Sequence, residues 1–235
     1  MELKLKVIAY ARNGHTDKFG IPRQSREESP ILTRIVFEPE FSIPDAVREL
    51  EKFSHIWILW GFSEVDFWSP TVRPPRLGGN KRVGVFATRS PFRPNPLGLS
   101  SVKLIRIQQS AVSNQLELLV SGADVMDGTP IYDIKPYLSF SDSHPEAVNG
   151  FAEETKDYRL TVSGERLAVM GDGLREEVPE ETMEDIKYIL SQDPRPAYQD
   201  DPSRVYKMDY KGWRVEFTVD NVKSRVYIQS IYKVK

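Results

Sequence analysis

The pattern of hydrophobic and polar positions predicts short strands over most of the first 140 residues. Apolar and polar residues alternate over 3–9, 31–37 and 115–120, the period of two that is typical of a strand with one buried face. The continuous apolar run 55–60 predicts a strand that is buried on both faces. Further strands are predicted over 83–87 and 97–107. Many short strands with few helices favour a barrel or a sandwich over alternating strands and helices.

Two helices interrupt this pattern. The first is predicted from Ser42, a residue type that caps helices, with Pro44 near the first turn and Leu50 on the apolar face. The second covers 179–190 and ends at Asp193-Pro194, because a proline disfavours helical backbone in the residue before it. Its apolar face is Met183, Ile186 and Leu190.

The part of the chain after residue 140 has a different pattern and predicts a second domain. A strand is predicted over 158–169, followed by the second helix. Residues 206–219 and 222–234 alternate in period two around Asp220-Asn221, which predicts a hairpin. We place the domain boundary between Ser141 and Asn149.

The composition excludes several kinds of site and points to a soluble chain. There is no cysteine among the 235 residues, which excludes a disulfide scaffold, a cysteine nucleophile and an iron–sulfur cluster. The three histidines lack metal-ligand spacing, so no metal site is predicted. The first residues lack the long apolar segment of a signal peptide, and no stretch of about 18 apolar residues occurs. We expect a cytoplasmic protein that does not bind a membrane.

The formal net charge of −2 conceals a strong asymmetry along the chain. Between Asp66 and Glu117 there is no acidic residue, yet that stretch holds eight lysines and arginines. From Asp142 to Asp201 the sign reverses, with 16 acidic against 6 basic residues. The basic stretch either forms a solvated face or meets a phosphate-bearing partner.

The densest unusual sequence lies inside this basic stretch. Prolines fix φ and glycines permit close backbone approach, so residues 73–98 can form a rigid loop that presents arginines in fixed directions. The guanidinium group suits bidentate capture of a carboxylate or a phosphate. The alternative is a proline-rich loop whose arginines only face water. No G-x-S-x-G, P-loop or Rossmann glycine pattern occurs.

Several motifs, taken together and in order, resemble those of the TsaA-like family. They are Pro22-Arg-Gln24, Phe53-Ser-His-Ile-Trp-Ile-Leu59, Thr71-Val-Arg-Pro-Pro-Arg-Leu-Gly-Gly79, Gly84-Val-Phe-Ala-Thr-Arg-Ser90, Phe92-Arg-Pro-Asn-Pro-Leu-Gly98, Asp127-Gly-Thr-Pro130 and Asp133-Ile-Lys-Pro-Tyr137. Asp193-Pro-Arg-Pro-Ala-Tyr198 resembles the C-terminal signature of the bacterial TrmO branch. The resemblance covers essentially the whole chain.

The resemblance implies a fold, an activity and an assembly. The expected fold class is mainly β: a small single-sheet β-barrel over residues 1–145 that binds the cofactor, and a smaller α+β domain over 146–235. The expected activity is an S-adenosylmethionine-dependent tRNA methyltransferase that modifies N6 of threonylcarbamoyladenosine, at position 37 next to the anticodon of threonine tRNA. The expected assembly is a homodimer, with the cofactor near the subunit interface.

The resemblance also assigns candidate residues. Those expected to contact S-adenosylmethionine are Pro22, Arg23, Gln24, Ser63, Glu64, Arg89, Leu99, Asp127, Gly128, Thr129 and Pro130. The residue types of the acid-free arginine stretch and of the motif 193–198 add the candidates for contact with the tRNA anticodon loop: Arg73, Arg76, Arg93, Arg195 and Tyr198. No single residue must act as a base, and Asp127 is the nearest candidate for proton transfer.

Two other interpretations stay open at this point. A non-enzymatic barrel would bind a nucleotide or RNA with the same arginines and perform no chemistry. Alternatively, the enzyme would methylate a different small molecule or another RNA base.

Overall fold

The structure is a computed structural model that describes residues 3–22, 24–25, 29–74, 81–152, 160–163, 167–169, 175–195 and 201–234. The chain divides into two compact units. The first comprises Met1–Asn13 and Arg23–Glu153, and the second comprises Gly14–Pro22 and Glu154–Lys235. The predicted second domain, residues 146–235, did not include the short segment 14–22, which groups with the C-terminal part of the chain.

The first unit is built on a closed barrel of six antiparallel strands in the order β1-β2-β7-β6-β3-β8. The strands are β1 (Ala9–Arg12), β2 (Leu32–Phe37), β3 (His55–Gly61), β6 (Leu97–Gln109), β7 (Leu116–Ser121) and β8 (Pro130–Pro136). Strands β4 (Thr71–Val72) and β5 (Val83–Gly84) form a separate pair, and α1 (Ser139–Asp142) follows the barrel. The expected fold class is confirmed, and the barrel closes instead of forming a sandwich.

The core of the first unit lies inside the barrel. Alternate residues of the strands point inward, as the period-two pattern predicts. The fully buried members include Ala9, Ile35, Ile56, Leu118 and Ile131. Strand β3 alternates between buried and partly exposed positions, so only one of its faces is in the core, and the expectation of two buried faces was wrong.

The register of the barrel brings six strand ends to one end of the cylinder. Gly61, the last residue of β3, pairs with Leu97, the first of β6. Leu32, the first residue of β2, pairs with Ser121, the last of β7. Tyr10 of β1 pairs with Pro130, the first residue of β8. The loops that follow β1, β3 and β7 therefore emerge together, and we call this the loop end of the barrel.

Other local expectations in the first unit were also wrong. The helix expected from Ser42 consists of short 3-10 turns at Pro39–Phe41, Pro44–Val47 and Leu50–Lys52. Glu49 has a φ of 71°, which interrupts a continuous helix, and the Ser42 hydroxyl accepts a hydrogen bond from the Leu116 amide at 2.7 Å instead of capping. The first strand begins at Ala9, after the alternating residues 3–8.

The second unit is an α+β arrangement. Its elements are β9 (Thr161–Ser163), β10 (Leu167–Val169), β11 (Arg175–Glu177), α2 (Glu180–Ser191), β12 (Tyr206–Tyr210), β13 (Trp213–Asp220) and β14 (Arg225–Lys233). One sheet has the order β12-β13-β14-β9, and β10 pairs with β11. Helix α2 is confirmed, and all three residues of its predicted apolar face are buried.

The hairpin expected around Asp220-Asn221 is confirmed as the connection from β13 to β14. The single strand expected over 206–219 is two strands, because Lys211 and Gly212 both have positive φ and reverse the chain. The strand expected over 158–169 falls partly outside the described residues. Among the residues that are described, no helix is long and apolar enough to cross a membrane.

Candidate active site

The structure places most of the expected cofactor residues at the loop end of the barrel. Gln24 lies between β1 and β2, Ser63 and Glu64 follow β3, and Arg89 lies between β5 and β6. The turn 127–129 lies between β7 and β8, and Pro130 begins β8. Leu99 is the third residue of β6, near this end of the barrel, and is 56% exposed. Loops that are far apart in sequence thus converge because the sheet is antiparallel and closed.

The first cluster at this end is centred on the Arg89 guanidinium group. Its Nη1 donates a hydrogen bond to Oε1 of Gln24. Burial raises the pKa of the Asp124 carboxyl, whereas the hydrogen bond from Ser100 and the positive charge of Arg89 oppose that rise. Arg89 is itself exposed. This arrangement holds an exposed cation beside an amide and a half-buried carboxylate.

A chain of contacts fixes Asp124 to the barrel wall. The Ser100 hydroxyl donates to Asp124 Oδ1 and accepts a hydrogen bond from the Trp60 indole nitrogen at 2.9 Å. The Trp60 ring packs edge-on against Phe62 with 4.4 Å between ring centroids. Because Trp60 and Ser100 are buried in paired strands, Asp124 is held in a defined position.

A cleft with a volume of about 330 Å³ includes Phe62 in its lining. Its lining residues are Leu5, Gly61, Phe62, Ser63, Asn95, Pro96, Leu97, Pro130 and Tyr132. Two of the expected cofactor residues, Ser63 and Pro130, therefore share one cavity. Gly61 permits this shape, since a Cβ atom there would lie 2.8 Å from the Tyr132 ring. The volume suits part of a small molecule.

The third part of the loop end is the turn that contains Asp127 and Gly128. Gly128 has a φ of 77°, which favours glycine, and its amide donates to the Ala11 carbonyl oxygen at 2.8 Å. The Thr129 amide donates to the Met126 carbonyl oxygen at 3.2 Å and closes the turn. This bonding ties the turn to β1 and fixes where its remaining polar groups lie.

The Asp127 carboxylate stabilises the same turn. Its Oδ1 accepts a hydrogen bond from the Asn13 amide at 3.0 Å, and its Oδ2 lies 3.7 Å from Nη1 of Arg12. Asn13 also donates through its side chain to the Val125 carbonyl oxygen at 3.0 Å. These contacts with a cation and an amide favour a positioning role for the carboxylate. Proton transfer by Asp127 stays a prediction.

The arginines expected to contact RNA differ in their surroundings. Arg73 is exposed just after β4, in the connection from β3 to β6 that lies at the loop end. Arg93 donates to the carbonyl oxygens of Thr88 at 2.7 Å and Val85 at 3.3 Å, so its guanidinium group also shapes the loop that carries Arg89. Arg23, Arg76 and Tyr198 lie outside the described residues.

Arg195 has an environment unlike the one expected of a phosphate contact. Its side chain is 7% exposed, and its Nε and Nη2 donate to the Asp193 carboxylate at 2.7 and 2.9 Å. Nη2 also donates to the Asn221 side chain at 2.8 Å. Within the second unit this guanidinium group holds the end of α2 against the β13–β14 turn, which weighs against direct contact with RNA.

Sequence reasoning missed several residues that shape the site. Ser100 and Asp124 were not expected there, although a serine at an inward-facing strand position is a signal for a buried hydrogen bond. Arg12 and Asn13 were also missed. Pro22, in contrast, was expected at the site and belongs to the second unit as the last residue of the segment 14–22. In the part of the chain that is described, no group of three acidic or histidine side chains is placed to hold a metal ion.

The fold is a closed β-barrel whose loop end presents exposed arginines on its connecting loops. The model of the tRNA-methyltransferase O N-terminal domain matches residues 10–143, and the model of the TrmO C-terminal domain matches residues 170–234. The chain belongs to the tRNA-methyltransferase O (TrmO) family. The resemblance seen in the motifs is thereby confirmed.

Similar proteins support this assignment over nearly the full length. The tRNA (adenine(37)-N6)-methyltransferase of Escherichia coli K12 is 38% identical over 229 residues, covering 95% of this chain and 96% of that protein. The enzyme of the same name from Eikenella corrodens is 44% identical over 185 residues, covering 78% and 99%. A crystal structure of TrmO from Pseudomonas aeruginosa superposes with a TM-score of 0.73 at 28% identity, covering 98% and 99%.

Proposed function

We propose that this chain is an S-adenosylmethionine-dependent tRNA methyltransferase that acts on N6 of the adenine at position 37. The observation that carries the proposal is the match to the Escherichia coli tRNA (adenine(37)-N6)-methyltransferase over 95% of this chain. The convergence of the expected cofactor residues at one end of the barrel supports it. An enzyme of this kind acts where tRNA is processed, so the proposal includes a cytoplasmic location.

The residues at the loop end fit the chemical groups of S-adenosylmethionine. This cofactor combines a carboxylate, an ammonium group, a sulfonium centre and an adenine ring. The exposed Arg89 guanidinium group suits the carboxylate. The Asp124 carboxylate suits an ammonium or hydroxyl donor. The cleft beside Phe62 and Tyr132 suits an apolar or aromatic part, and the backbone of the turn at Gly128 suits the edges of adenine.

The protein's contribution to the reaction is to position the reactants. When bound, S-adenosylmethionine supplies an electrophilic methyl group. Methyl transfer is an in-line displacement, so alignment of the two reactants accounts for much of the rate. The hydrogen bonds that hold Asp124 and Asp127 in place fix the loops around the donor. Asp127 remains our candidate for receiving the proton that N6 loses, although its bonding to Asn13 and Arg12 favours a positioning role.

The RNA substrate of this proposal is the anticodon loop of threonine tRNA that carries threonylcarbamoyladenosine. A purine in that loop must be unstacked, at a cost of a few kcal/mol that phosphate and stacking contacts offset. Arg73, exposed in a stretch without acidic residues, suits phosphate contact. Arg93 lies in the same stretch and also suits phosphate contact. For Arg76 and Tyr198, the proposed contact with RNA rests on the sequence motifs alone.

We also propose a homodimer, on the evidence of exposed aromatic side chains beside the Arg89 loop. Phe67, Trp68 and Phe86 are 61%, 55% and 75% exposed, and Phe67 stacks on Phe92 with 4.8 Å between centroids. Large apolar surfaces of this kind are covered in protein interfaces. Light scattering should give twice the chain mass, and Trp68→Glu should give the mass of one chain. A monomeric wild-type protein would contradict the proposal.

The activity is tested by incubating the protein with methyl-labelled S-adenosylmethionine and tRNA from cells that possess or lack the threonylcarbamoyl group. We expect label only in the tRNA that carries the group. Equal label in both samples would show that another base is the target. No label in either sample would favour the non-enzymatic barrel that binds a nucleotide or RNA.

A further inference from the structure

A short segment of the N-terminal sequence belongs to the second unit and ends two residues before Gln24, one of the proposed donor-binding residues. Residues 14–22 group with the C-terminal part of the chain, whereas Gln24 belongs to the barrel unit. We call residues 14–22 the strap. Only two peptide steps separate Pro22 from Gln24, which limits their Cα separation to about 7 Å. Whatever fixes the strap therefore restricts Gln24.

The first contact that fixes the strap is at Gly14. Its carbonyl oxygen accepts a hydrogen bond from the Lys211 amide at 3.1 Å. A Cβ atom added to Gly14 would lie 2.6 Å from Cγ of Lys211 and 2.7 Å from Cζ of Tyr210. Tyr210 is fully buried, so its ring cannot move aside without cost. Only glycine permits this close approach of the strap to the turn between β12 and β13.

The second contact is the buried His15 side chain. It is 1% exposed, and its ring packs edge-on against Tyr210 with 5.3 Å between centroids. Burial lowers the pKa of His15 to about 4, so the ring is neutral at pH 7. A neutral aromatic ring in this position anchors the strap mainly by packing.

A polar cluster holds Tyr210 in place beneath the strap. The Tyr210 hydroxyl donates to Oδ2 of Asp185 at 2.8 Å, and Nζ of Lys211 lies 2.9 Å from the same oxygen. Asp185 is 4% exposed on the buried side of α2. This cluster connects α2, β12 and the following turn, so the surface that receives Gly14 and His15 is rigid.

We propose that the contacts of Gly14 and His15 favour donor binding by restricting the loop that carries Gln24. The inference rests on the proposed function. An anchored strap restricts the conformations of the loop that carries Gln24, so less conformational entropy is lost when the donor binds. Gly14, Tyr210 and Asp185 are then positioning residues that act at a distance through the chain. None of them needs to touch the donor.

The test compares Gly14→Ala with Gly20→Ala in the full-length protein. At Gly20 the nearest atoms to an added Cβ are 3.8 Å away, which is ordinary contact, so this variant is the matched control. We expect Gly14→Ala to weaken S-adenosylmethionine binding, measured by calorimetry, by about fivefold, and to raise its KM similarly. The kcat at saturating donor should stay within about twofold of wild type, because the reacting groups are unchanged. Gly20→Ala should match wild type.

A second variant keeps the inference falsifiable if Gly14→Ala does not fold. Tyr210→Phe retains the ring against His15 and removes only the bond to Asp185, so it should weaken donor binding in the same direction but less. Donor affinity equal to wild type in every folded variant would overturn the inference. If the wild-type protein binds no donor and labels no tRNA, the proposed function itself fails. If the wild-type protein methylates tRNA and the variants bind the donor with unchanged affinity, only the inference about the strap fails.

Discussion

Arg89 combines exposure with a fixed position, and this combination makes it our first candidate for binding the donor. Its bond to Gln24 and its proximity to Asp124 preorganise the guanidinium group before any ligand arrives. Preorganisation reduces the entropy lost on binding. The residue types around it were visible in the motifs, whereas the contribution of Asp124 was not, because Asp124 precedes the recognisable Asp127-Gly-Thr-Pro130 sequence.

Replacing Arg89 with lysine should weaken donor binding about tenfold, since lysine cannot form two parallel hydrogen bonds with a carboxylate. Calorimetry with S-adenosylmethionine measures the change. Arg82→Lys is the matched control, because Arg82 is an exposed arginine that bonds Thr71 in the β4–β5 pair. Equal affinity in Arg89→Lys and wild type would exclude carboxylate capture by Arg89.

His15 should make the second unit sensitive to acid. Burial lowers the pKa of His15 to about 4 in the folded protein, compared with 6.5 in the unfolded chain. The negative charge of Asp185 raises this pKa, and the positive charge of Lys211 lowers it further. Below pH 6.5 the unfolded chain takes up a proton that the folded chain does not, so stability is lost as the pH falls. From pH 7 to 5 the loss from this group is about 2 kcal/mol.

The acid effect is measured by hydrogen exchange of peptides from α2 and β13 at pH 7 and 5. Rates are corrected for the intrinsic effect of pH. His15→Gln should reduce the difference in protection between the two pH values, because glutamine does not titrate. Identical differences in wild type and variant would show that His15 contributes nothing to the acid response.

At the scale of elements, the pairing of β3 with β6 depends on a close approach of Gly98 to the Trp60 ring. A Cβ atom at Gly98 would lie 2.2 Å from Cε2 of Trp60. The indole is 7% exposed and bonded to Ser100, so it has little freedom to shift. The glycine is therefore required for the packing of Trp60 between β3 and β6.

Gly98→Ala should destabilise the barrel by about 1–3 kcal/mol through overpacking. Thermal unfolding followed by circular dichroism measures the change. Gly84→Ala is the control, since an added Cβ there meets no atom within 4 Å. A Gly98→Ala midpoint equal to that of Gly84→Ala would contradict this view of the Trp60 contact.

The elements that could be predicted from sequence are those with a clear period and a local stop. Helix α2 has a buried face and a following Asp193-Pro194, and its bounds differ from the prediction by one residue at each end. The prediction of one helix from Ser42 was wrong because Glu49 has a positive φ, which no residue pattern signals. The grouping of the strap with the second unit also has no local signal, since it depends on contacts with residues nearly 200 positions away.

At the scale of the whole molecule, the charge asymmetry of the chain matches the proposed RNA substrate. The stretch between Asp66 and Glu117 contains no acidic residue and supplies the connections from β3 to β6 at the loop end. Barrel closure itself could not be read from the periodicity, which fits a sandwich equally well. The motif order resolved this question, because it identified the family.

Arg73→Gln should lower tRNA affinity and reduce the salt dependence of binding by about one counterion, while donor affinity stays unchanged. Filter binding across a series of salt concentrations measures both quantities. Arg48→Gln is the control, because Arg48 lies between β2 and β3 at the opposite end of the barrel. An unchanged salt slope in Arg73→Gln would remove Arg73 from the RNA-binding surface.

The most direct measurement is a crystal structure of the full-length protein with S-adenosylmethionine bound. The donor should lie at the loop end, with its carboxylate bound to Arg89 and its methyl group facing solvent. Gln24 and the Gly128 turn should lie within hydrogen-bonding distance of the donor. A donor bound elsewhere, out of reach of those three residues, would contradict the proposed site.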